Sequence, residues 1–214
     1  MQLFLIRHAQ SENNARSQSQ RIDDPALTRI GHEQAKRLAR RATELRLTRI
    51  YTSPFLRTLQ TARHLQHATG LAPQVRVPLH EKGGCIAGTS TREYVGAPGM
   101  TRPQISKQFP GYRIPPEING EGWWGGKPME TSDEAVKRAN SVLHAACQEF
   151  GDSDERIAYV MHGDFLLLLL GCFHPAPLNV AWNASLSSVS IRGGTLALEE
   201  YACVNHLPNY LVTW

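Results

Sequence analysis

The sequence LFLIRHAQSENN, residues Leu3–Asn14, begins with four large apolar residues and then becomes abruptly charged and polar. The apolar part does not alternate with polar residues, which predicts a β-strand at Gln2–Ile6 that is buried on both faces of a parallel sheet. In an open parallel sheet, residues just beyond the carboxyl end of a strand lie in the ligand crevice. The sequence therefore predicts that Arg7 and His8 line a binding crevice.

Strand and helix patterns alternate along most of the chain. Helices are predicted by apolar spacing and by capping residues at Gly31–Arg46, Ser53–Thr69, Thr131–Phe150 and Asp164–Cys172. Further strands are predicted at Arg49–Thr52, Val75–Leu79 and Arg156–Met161, with a terminal hairpin of Ser187–Arg192 and Thr195–Tyr201. This order predicts a three-layer α/β/α sandwich with a mostly parallel sheet. The length of 214 residues suits one domain, 1–214.

The segment from Glu81 to Glu130 interrupts this alternation. It is rich in glycine and proline and contains the pair Trp123–Trp124. Loops of this length are usually functional or disordered. We interpret residues 82–130 as an insertion, or cap, over the carboxyl edge of the sheet, where ligands bind. The two tryptophans are predicted either to fill the core of this insertion or to form a wall for the substrate.

Three predicted strands end in residues that suit an anion. Arg7 and His8 follow the first strand, and His162 and Gly163 follow the strand RIAYVM. Arg57 lies one turn into the helix that follows the strand RIYT. Arginine offers a planar fork of donors that matches phosphate oxygens, and a neutral histidine can attack phosphorus. Two histidines and two arginines at one sheet edge indicate phosphoryl transfer.

Composition argues against several other classes of function. The net charge is +4, but lysine and arginine are scattered and form no blocks, so nucleic-acid binding has little support. His64 and His67 are three residues apart on a helix with no third ligand nearby, which favours a solvated face over a metal site. No metal and no cofactor are predicted. The cysteines are too widely spaced to suggest zinc binding or a disulfide framework: Cys85, Cys147, Cys172 and Cys203.

No stretch of the sequence predicts a signal peptide or a membrane segment. The apolar run Leu3–Ile6 is too short for a signal peptide and ends at Arg7. The run FLLLLLG at Phe165–Gly171 is far shorter than the ~20 apolar residues that cross a bilayer. We therefore expect a cytoplasmic protein that does not interact with membranes.

Four separated segments, IRHAQSENN, DDPALTRIGHEQA, YTSPFLRTLQTA and VMHGD, follow one another in the chain. Together they resemble the phosphoglycerate mutase-like branch of the histidine phosphatase superfamily, over nearly the whole chain and most weakly over Lys82–Met129. The resemblance implies a metal-independent phosphatase that hydrolyses small-molecule phosphomonoesters through a phosphohistidine. Two alternatives are phosphoglycerate mutase-type phosphoryl transfer and a non-catalytic module that binds a phospho-ligand on the same fold.

The resemblance also implies roles for the matching residues. His8 matches the nucleophile, His162 matches a donor to the transferring group, and Glu81 matches the acid that protonates the leaving oxygen. The residues assigned to phosphate binding are Arg7, Asn14, Arg57 and Gly163. The other carboxylates of the insertion that remain candidates for the acid are Glu93, Glu117, Glu121 and Glu130.

Overall fold

The computed structural model describes residues 1–88, 90 and 93–214. The strands in these residues are β1 (Gln2–Arg7), β2 (Arg49–Thr52), β3 (Gln74–Val75), β4 (Ile86–Ala87), β5 (Val95–Gly96), β6 (Arg156–Met161), β7 (Leu186–Arg192) and β8 (Thr195–Cys203). The α-helices are α1 (Glu12–Ala15), α2 (Arg29–Glu44), α3 (Leu56–Thr69), α4 (Arg102–Gln108), α5 (Ser132–Phe150) and α6 (Gly163–Gly171). Short 3₁₀ helices occur at Gln18–Gln20, Val77–Leu79 and Asn209–Leu211.

The central sheet contains six strands in the order β3-β2-β6-β1-β7-β8. The first four are parallel to one another, and β7 and β8 are antiparallel additions at one edge. Side chains of α2 and α3 pack on one face of this sheet, and those of α5 and α6 pack on the other. The prediction of a three-layer α/β/α sandwich with a mostly parallel sheet is confirmed.

The apolar run at the start of the chain supplies both layers of the core. Phe4 and Ile6 belong to the apolar cluster on the α2–α3 face, and Leu3 and Leu5 belong to the cluster on the α5–α6 face. Successive side chains of a strand point to opposite faces of the sheet. A strand that is covered on both sides therefore needs apolar residues at every position, which is why β1 shows no alternation.

The strand register brings the polar strand ends together. Ile6 of β1 and Thr52 of β2 each lie opposite Val160 of β6, which lies between them. Two residues farther along β1 and β6 come His8 and His162. Because parallel strands share their carboxyl edge, this register places both histidines side by side at that edge.

The start of α3 differs from the prediction that Ser53 caps it. The helix begins at Leu56, with Phe55 at the N-cap position and no cap from the Phe55 side chain. Asp24, from a separate loop, accepts a hydrogen bond from the Leu56 N–H at 2.8 Å. The Ser53 hydroxyl instead lies 2.7 Å from Nε2 of His162. The Asp24 carboxylate, which lies outside the helix, thus caps the first turn of α3, and the Ser53 hydroxyl is free to contact His162.

The predicted strand at Val75–Leu79 is also shorter than expected. Only Gln74–Val75 is a strand, and Val77–Leu79 forms a 3₁₀ helix. Pro78 lies within that helix, and proline has no N–H to donate to a neighbouring strand. The chain therefore leaves the sheet after two residues.

Other helix ends agree with the sequence. Gly70 ends α3 in the left-handed conformation, with φ +73°, which glycine adopts without steric cost. Thr131 and Glu134 form the predicted capping box at the start of α5, where each side chain accepts a hydrogen bond from the other residue's N–H. These local signals predicted the helix ends correctly.

The segment after the 3₁₀ helix contains a short antiparallel pair, β4 with β5, followed by α4. Its buried residues join the apolar cluster on the α2–α3 face. In the part of the chain that the structure describes, no helix has the length and apolar character needed to cross a membrane. The single domain over 1–214, the cap role of 82–130 and the cytoplasmic location stay predictions.

Candidate active site

Four of the predicted site residues meet at the carboxyl edge of the sheet. Arg7, His8, Arg57 and His162 are all at most 8% exposed. The imidazole rings of His8 and His162 have centroids 5.2 Å apart and meet edge to face. The tertiary structure therefore brings the two histidines and two arginines into one buried cluster.

The hydrogen bonds of His8 determine its tautomer, and its surroundings determine its charge. Nδ1 lies 2.7 Å from the carbonyl oxygen of Ala9, and because a carbonyl only accepts, Nδ1 carries the hydrogen. Nε2 then holds a lone pair, to which Nε of Arg57 donates at 3.2 Å. Burial, and after it the charges of Arg57 and Arg7, hold the pKa of His8 well below its ordinary value. His8 is therefore neutral at neutral pH, the form in which imidazole acts as a nucleophile.

His162 is also neutral and has one unused nitrogen. Burial, and after it the charge of Arg57, hold the pKa of His162 well below its ordinary value. Its Nε2 is 2.7 Å from the Ser53 hydroxyl. Nδ1 is buried and has no hydrogen-bond partner among the described residues. If Nε2 accepts from the hydroxyl, Nδ1–H is left as a donor for a bound ligand.

Arg7 also carries an unused donor. One terminal nitrogen, Nη1, donates to the carbonyl of Ala181, whereas Nε is buried without a partner among the described residues. Buried donors are nearly always paired in folded proteins, so this N–H indicates a ligand acceptor. A Cβ placed on Gly163 would lie 3.2 Å from Arg7 Nε and 3.0 Å from Val180 Cγ1. Glycine at position 163 thus allows the close packing of α6 against the arginine.

Glu81 shares a cavity with Arg57. The cavity has a volume of about 190 Å³ and is lined in part by Glu81, Arg57, Phe55 and Lys82. Oε1 of Glu81 accepts hydrogen bonds from the N–H groups of Lys82, at 2.8 Å, and Phe165, at 3.0 Å. Burial raises the pKa of this carboxyl, Asp164 adds to the effect, and Arg57 opposes it. These features suit a group that gives and takes a proton.

The other candidate acids have different surroundings. Glu130 forms a two-pronged ion pair with Arg138, with both nitrogen–oxygen distances at 2.7 Å, and this pairing lowers its pKa although burial opposes it. Glu93, Glu117 and Glu121 are exposed. The geometry favours Glu81 for the proton-transfer role, which stays a prediction.

Asn14 organises the loop after β1. Its Oδ1 accepts hydrogen bonds from the Ser11 N–H at 3.0 Å and the Ser11 hydroxyl at 2.8 Å. Nδ2 of Asn183 lies 3.4 Å from the same oxygen. The neighbouring Asn13 contributes to the lining of the cavity. Phosphate binding by Asn14 stays a prediction.

Trp123 and Trp124 pack as core residues. They are 4% and 8% exposed. The Trp123 ring lies 4.8 Å from the Phe55 ring, which in turn lies 4.9 Å from the ring of His162. A Cβ on Gly99 would be 2.3 Å from Trp123 Nε1, which shows how closely the loop encloses this side chain. Of the two predicted alternatives, the structure favours the core of the insertion, which buttresses the site through Phe55.

Two residues of the site received no such role from the sequence. Ser53, expected as a helix cap, contacts His162, and Asp24 lies beside Arg57 with a closest nitrogen–oxygen distance of 4.0 Å. Asp24 stands within the stretch DDPALTRIGHEQA. It follows Asp23 and precedes Pro25, and no local spacing connects it to a helix 32 residues away. Among the described residues, no group of three or more His, Cys, Asp or Glu side chains is arranged to hold a metal ion.

A family model and several known proteins are similar to this chain in sequence. A family model described as the histidine phosphatase superfamily (branch 1) matches residues 3–204. A probable phosphatase of Schizosaccharomyces pombe is 30% identical over 95% of this chain and 70% of that protein. A probable phosphoglycerate mutase GpmB of Photorhabdus laumondii is 28% identical, over 89% of this chain and 83% of that protein.

Solved structures show the same fold. A mycobacterial glucosyl-3-phosphoglycerate phosphatase, solved in complex with VO3, superposes with a TM-score of 0.65 at 21% identity, over 95% of this chain and 99% of that one. At this identity the likeness concerns the fold alone. The family model, however, covers nearly the whole chain, and its range includes both histidines and both arginines of the cluster. The chain therefore belongs to branch 1 of the histidine phosphatase superfamily.

Proposed function

We propose that this protein is a metal-independent phosphatase that hydrolyses small-molecule phosphomonoesters through a phosphohistidine on His8. The observation that carries the proposal is the neutral His8, whose Nε2 lone pair lies beside the buried Arg57 guanidinium. The unpaired Nε–H of Arg7 and the unpaired Nδ1 of His162 add two polar groups that a bound anion would contact. Arg57 and Glu81 also line one cavity of about 190 Å³. The phosphatase name of the S. pombe relative supports the same reaction class.

The proposed reaction has two steps. First, Nε2 of His8 attacks phosphorus in line, so that an N–P bond forms while the P–O bond to the alcohol breaks and Glu81 gives its proton to the leaving oxygen. Water then attacks phosphorus and breaks the N–P bond, and Glu81 takes the proton from water. Arg7, Arg57 and Nδ1–H of His162 stabilise the negative charge on the equatorial oxygens throughout, which is positioning plus electrostatic stabilisation.

Mutase-type transfer is the second candidate, and the mutase name of the Photorhabdus relative is the observation that favours it. A mutase returns the phosphoryl group to its product, whereas a phosphatase passes it to water. A non-catalytic module would do neither. A panel of phosphoesters assayed for release of inorganic phosphate separates the three: we expect steady release, whereas isomerisation without release would indicate a mutase and binding without turnover would indicate the module.

Metal removal is expected to leave activity intact, because every proposed step uses side chains of the chain itself. Treatment with EDTA should not change the rate of phosphate release, and vanadate, which mimics five-coordinate phosphorus, should inhibit. The two reagents are tested in separate assays because EDTA binds vanadate. Loss of activity in EDTA that a divalent ion restores would overturn metal independence.

Gly163→Ala is expected to weaken phosphate binding on the order of tenfold, because the added methyl group would displace Arg7 and a small misplacement in a site is costly. Gly171→Ala, at the far end of the same helix, is the matched control, since a Cβ there meets nothing within 4 Å. The measurement is the inhibition constant of inorganic phosphate, together with Tm. Equal inhibition constants in both variants and the wild type would show that Arg7 does not depend on this packing.

A further inference from the structure

Asp24 connects the start of α3 to the phosphate-binding arginine. Its Oδ1 accepts the hydrogen bond from the Leu56 N–H at 2.8 Å, and the same oxygen lies 4.0 Å from Nη1 of Arg57. The side chains of Asp24 and Arg57 are only 12% and 10% exposed. Asp24 is thus a buried carboxyl group that faces a buried cation without yet forming a close hydrogen bond to it.

The second oxygen of Asp24 is unused. Oδ2 is buried and has no hydrogen-bond partner among the described residues. A buried acceptor without a donor costs free energy, and this cost is recovered when a donor reaches it. Arg57 has five N–H donors in a fixed fork, and its guanidinium is the cation that faces this carboxyl group. The Oδ1 atom of the same carboxyl group is 4.0 Å from Nη1 of Arg57, so a shift of the guanidinium by about the length of a covalent bond would bring the two groups to ordinary hydrogen-bond distance.

Arg57 in its present position conflicts with the proposed chemistry. Its Nε donates to Nε2 of His8 at 3.2 Å, so the lone pair that must attack phosphorus is engaged. The arginine must therefore leave His8 when a phosphoryl group enters. The ring of Phe55, whose centroid is 4.1 Å from Cζ of Arg57, supports one face of the guanidinium.

We infer that Asp24 is a positioning residue that draws the Arg57 guanidinium away from His8 Nε2 and holds it against the entering phosphoryl group. This inference rests on the proposed function, because it assigns Nε2 as the nucleophile. Asp24 acts through Arg57 and does not touch the substrate. The negative charge of Asp24 attracts the guanidinium, and the hydrogen bond from the Leu56 N–H keeps the carboxyl group in place.

The charge of Asp24 depends on pH near neutrality. Burial raises the pKa of Asp24 to about 7, against the opposing effects of Arg57 and the Leu56 N–H. The other groups that face it are Asp23 of its own loop and Cys85 of the insertion, and burial raises the pKa of Cys85 to about 12, so that this thiol is neutral. Asp24 gains its charge as the pH rises through about 7. The electrostatic attraction between Asp24 and Arg57 is therefore present above that pH and is lost below it.

Asp24→Asn tests the inference, because it keeps the size and the acceptor for the Leu56 N–H but removes the charge. At pH 8 we expect kcat/KM for phosphoester hydrolysis to fall on the order of 10–100-fold, with Tm close to that of the wild type. The ratio of wild-type to variant kcat/KM should shrink toward one as the pH falls to 6. Because both enzymes are measured with the same substrate at each pH, the ionisation of the substrate cancels in this ratio. Asp154→Asn, an exposed aspartate, is the control that should change nothing.

A double-mutant cycle separates positioning from simple support of the fold. In an Arg57→Gln background, the further change Asp24→Asn should have little effect, because the residue that it positions is gone. A second readout, binding of inorganic phosphate by calorimetry, does not need turnover: the variant should bind about tenfold more weakly at pH 8 and nearly equally at pH 6. If the protein binds phosphate but releases none from any ester, the proposed function is refuted. The calorimetric measurement of phosphate binding still tests the role of Asp24 in that case. Equal binding by wild type and Asp24→Asn at pH 8, or an undiminished effect in the Arg57→Gln background, would overturn the inference.

Discussion

His8→Ala is expected to reduce turnover on the order of 10⁴–10⁶-fold, the scale of losses seen when a covalent nucleophile is removed. The reason is that, in the proposed mechanism, Nε2 of His8 is the atom that forms the N–P bond. After brief reaction with labelled substrate, the wild type should retain acid-labile, base-stable phosphate, and the variant should retain none. Rapid quench followed by intact-protein mass spectrometry measures the adduct directly.

The control for this experiment is His144→Ala. His144 is exposed on α5, on the opposite face of the sheet from the α2–α3 layer, and the change should leave both turnover and the adduct unaffected. Near-normal activity in His8→Ala would refute the covalent mechanism. If phosphate instead appears on another residue of the wild type, the position of the adduct identifies the nucleophile.

Glu81→Gln is expected to cost on the order of 10²–10⁴-fold in kcat/KM for alkyl phosphates, the usual range for general acid catalysis. The amide keeps the size of the side chain and its acceptor oxygen for the N–H groups of Lys82 and Phe165, but it has no proton to transfer. A sugar or serine alkoxide needs that proton to leave, whereas nitrophenolate leaves readily without it. With nitrophenyl phosphate the loss should therefore be much smaller.

The comparison uses kcat/KM at low substrate, because this parameter reports only the steps through phosphorylation of the enzyme. In the proposed mechanism Glu81 is also the base for hydrolysis of the phosphohistidine, so its replacement would lower kcat for both substrates. Burial raises the pKa of Glu81, so the protonated form persists to higher pH than in an exposed glutamate. The decline of kcat/KM with rising pH should accordingly disappear in the variant.

Glu117→Gln is the matched control, since Glu117 is exposed and lines a different cavity. Equal losses for the alkyl and nitrophenyl substrates in Glu81→Gln would show that Glu81 is not the acid. The same comparison would then be applied to Glu130, whose ion pair with Arg138 makes loss of stability the expected main effect of its replacement.

Much of the fold could be predicted from the sequence because its signals are local. The unbroken apolar run of β1 follows from burial on both faces, and the capping box at Thr131 and the glycine at position 70 mark helix ends through interactions with residues three or four positions away. The order of strands and helices then implies a parallel sheet with one shared carboxyl edge. Because both histidines follow strands that end at this edge, the sequence alone predicts that His8 and His162 lie together.

What the sequence did not reveal depends on contacts between distant segments. Asp24 serves as the cap of a helix 32 residues away and leaves Ser53 to His162. The packing of Trp123 on Phe55 likewise joins the insertion to the site. Such contacts leave no periodicity in either segment, because neither partner needs a regular pattern to make them. The sequence by itself determined the layers of the fold and the presence of two histidines and two arginines at the sheet edge. Only the tertiary structure decided which side chains hold the residues of the site in place, because contacts such as that of Asp24 with Leu56 depend on distances between segments that are far apart in the sequence.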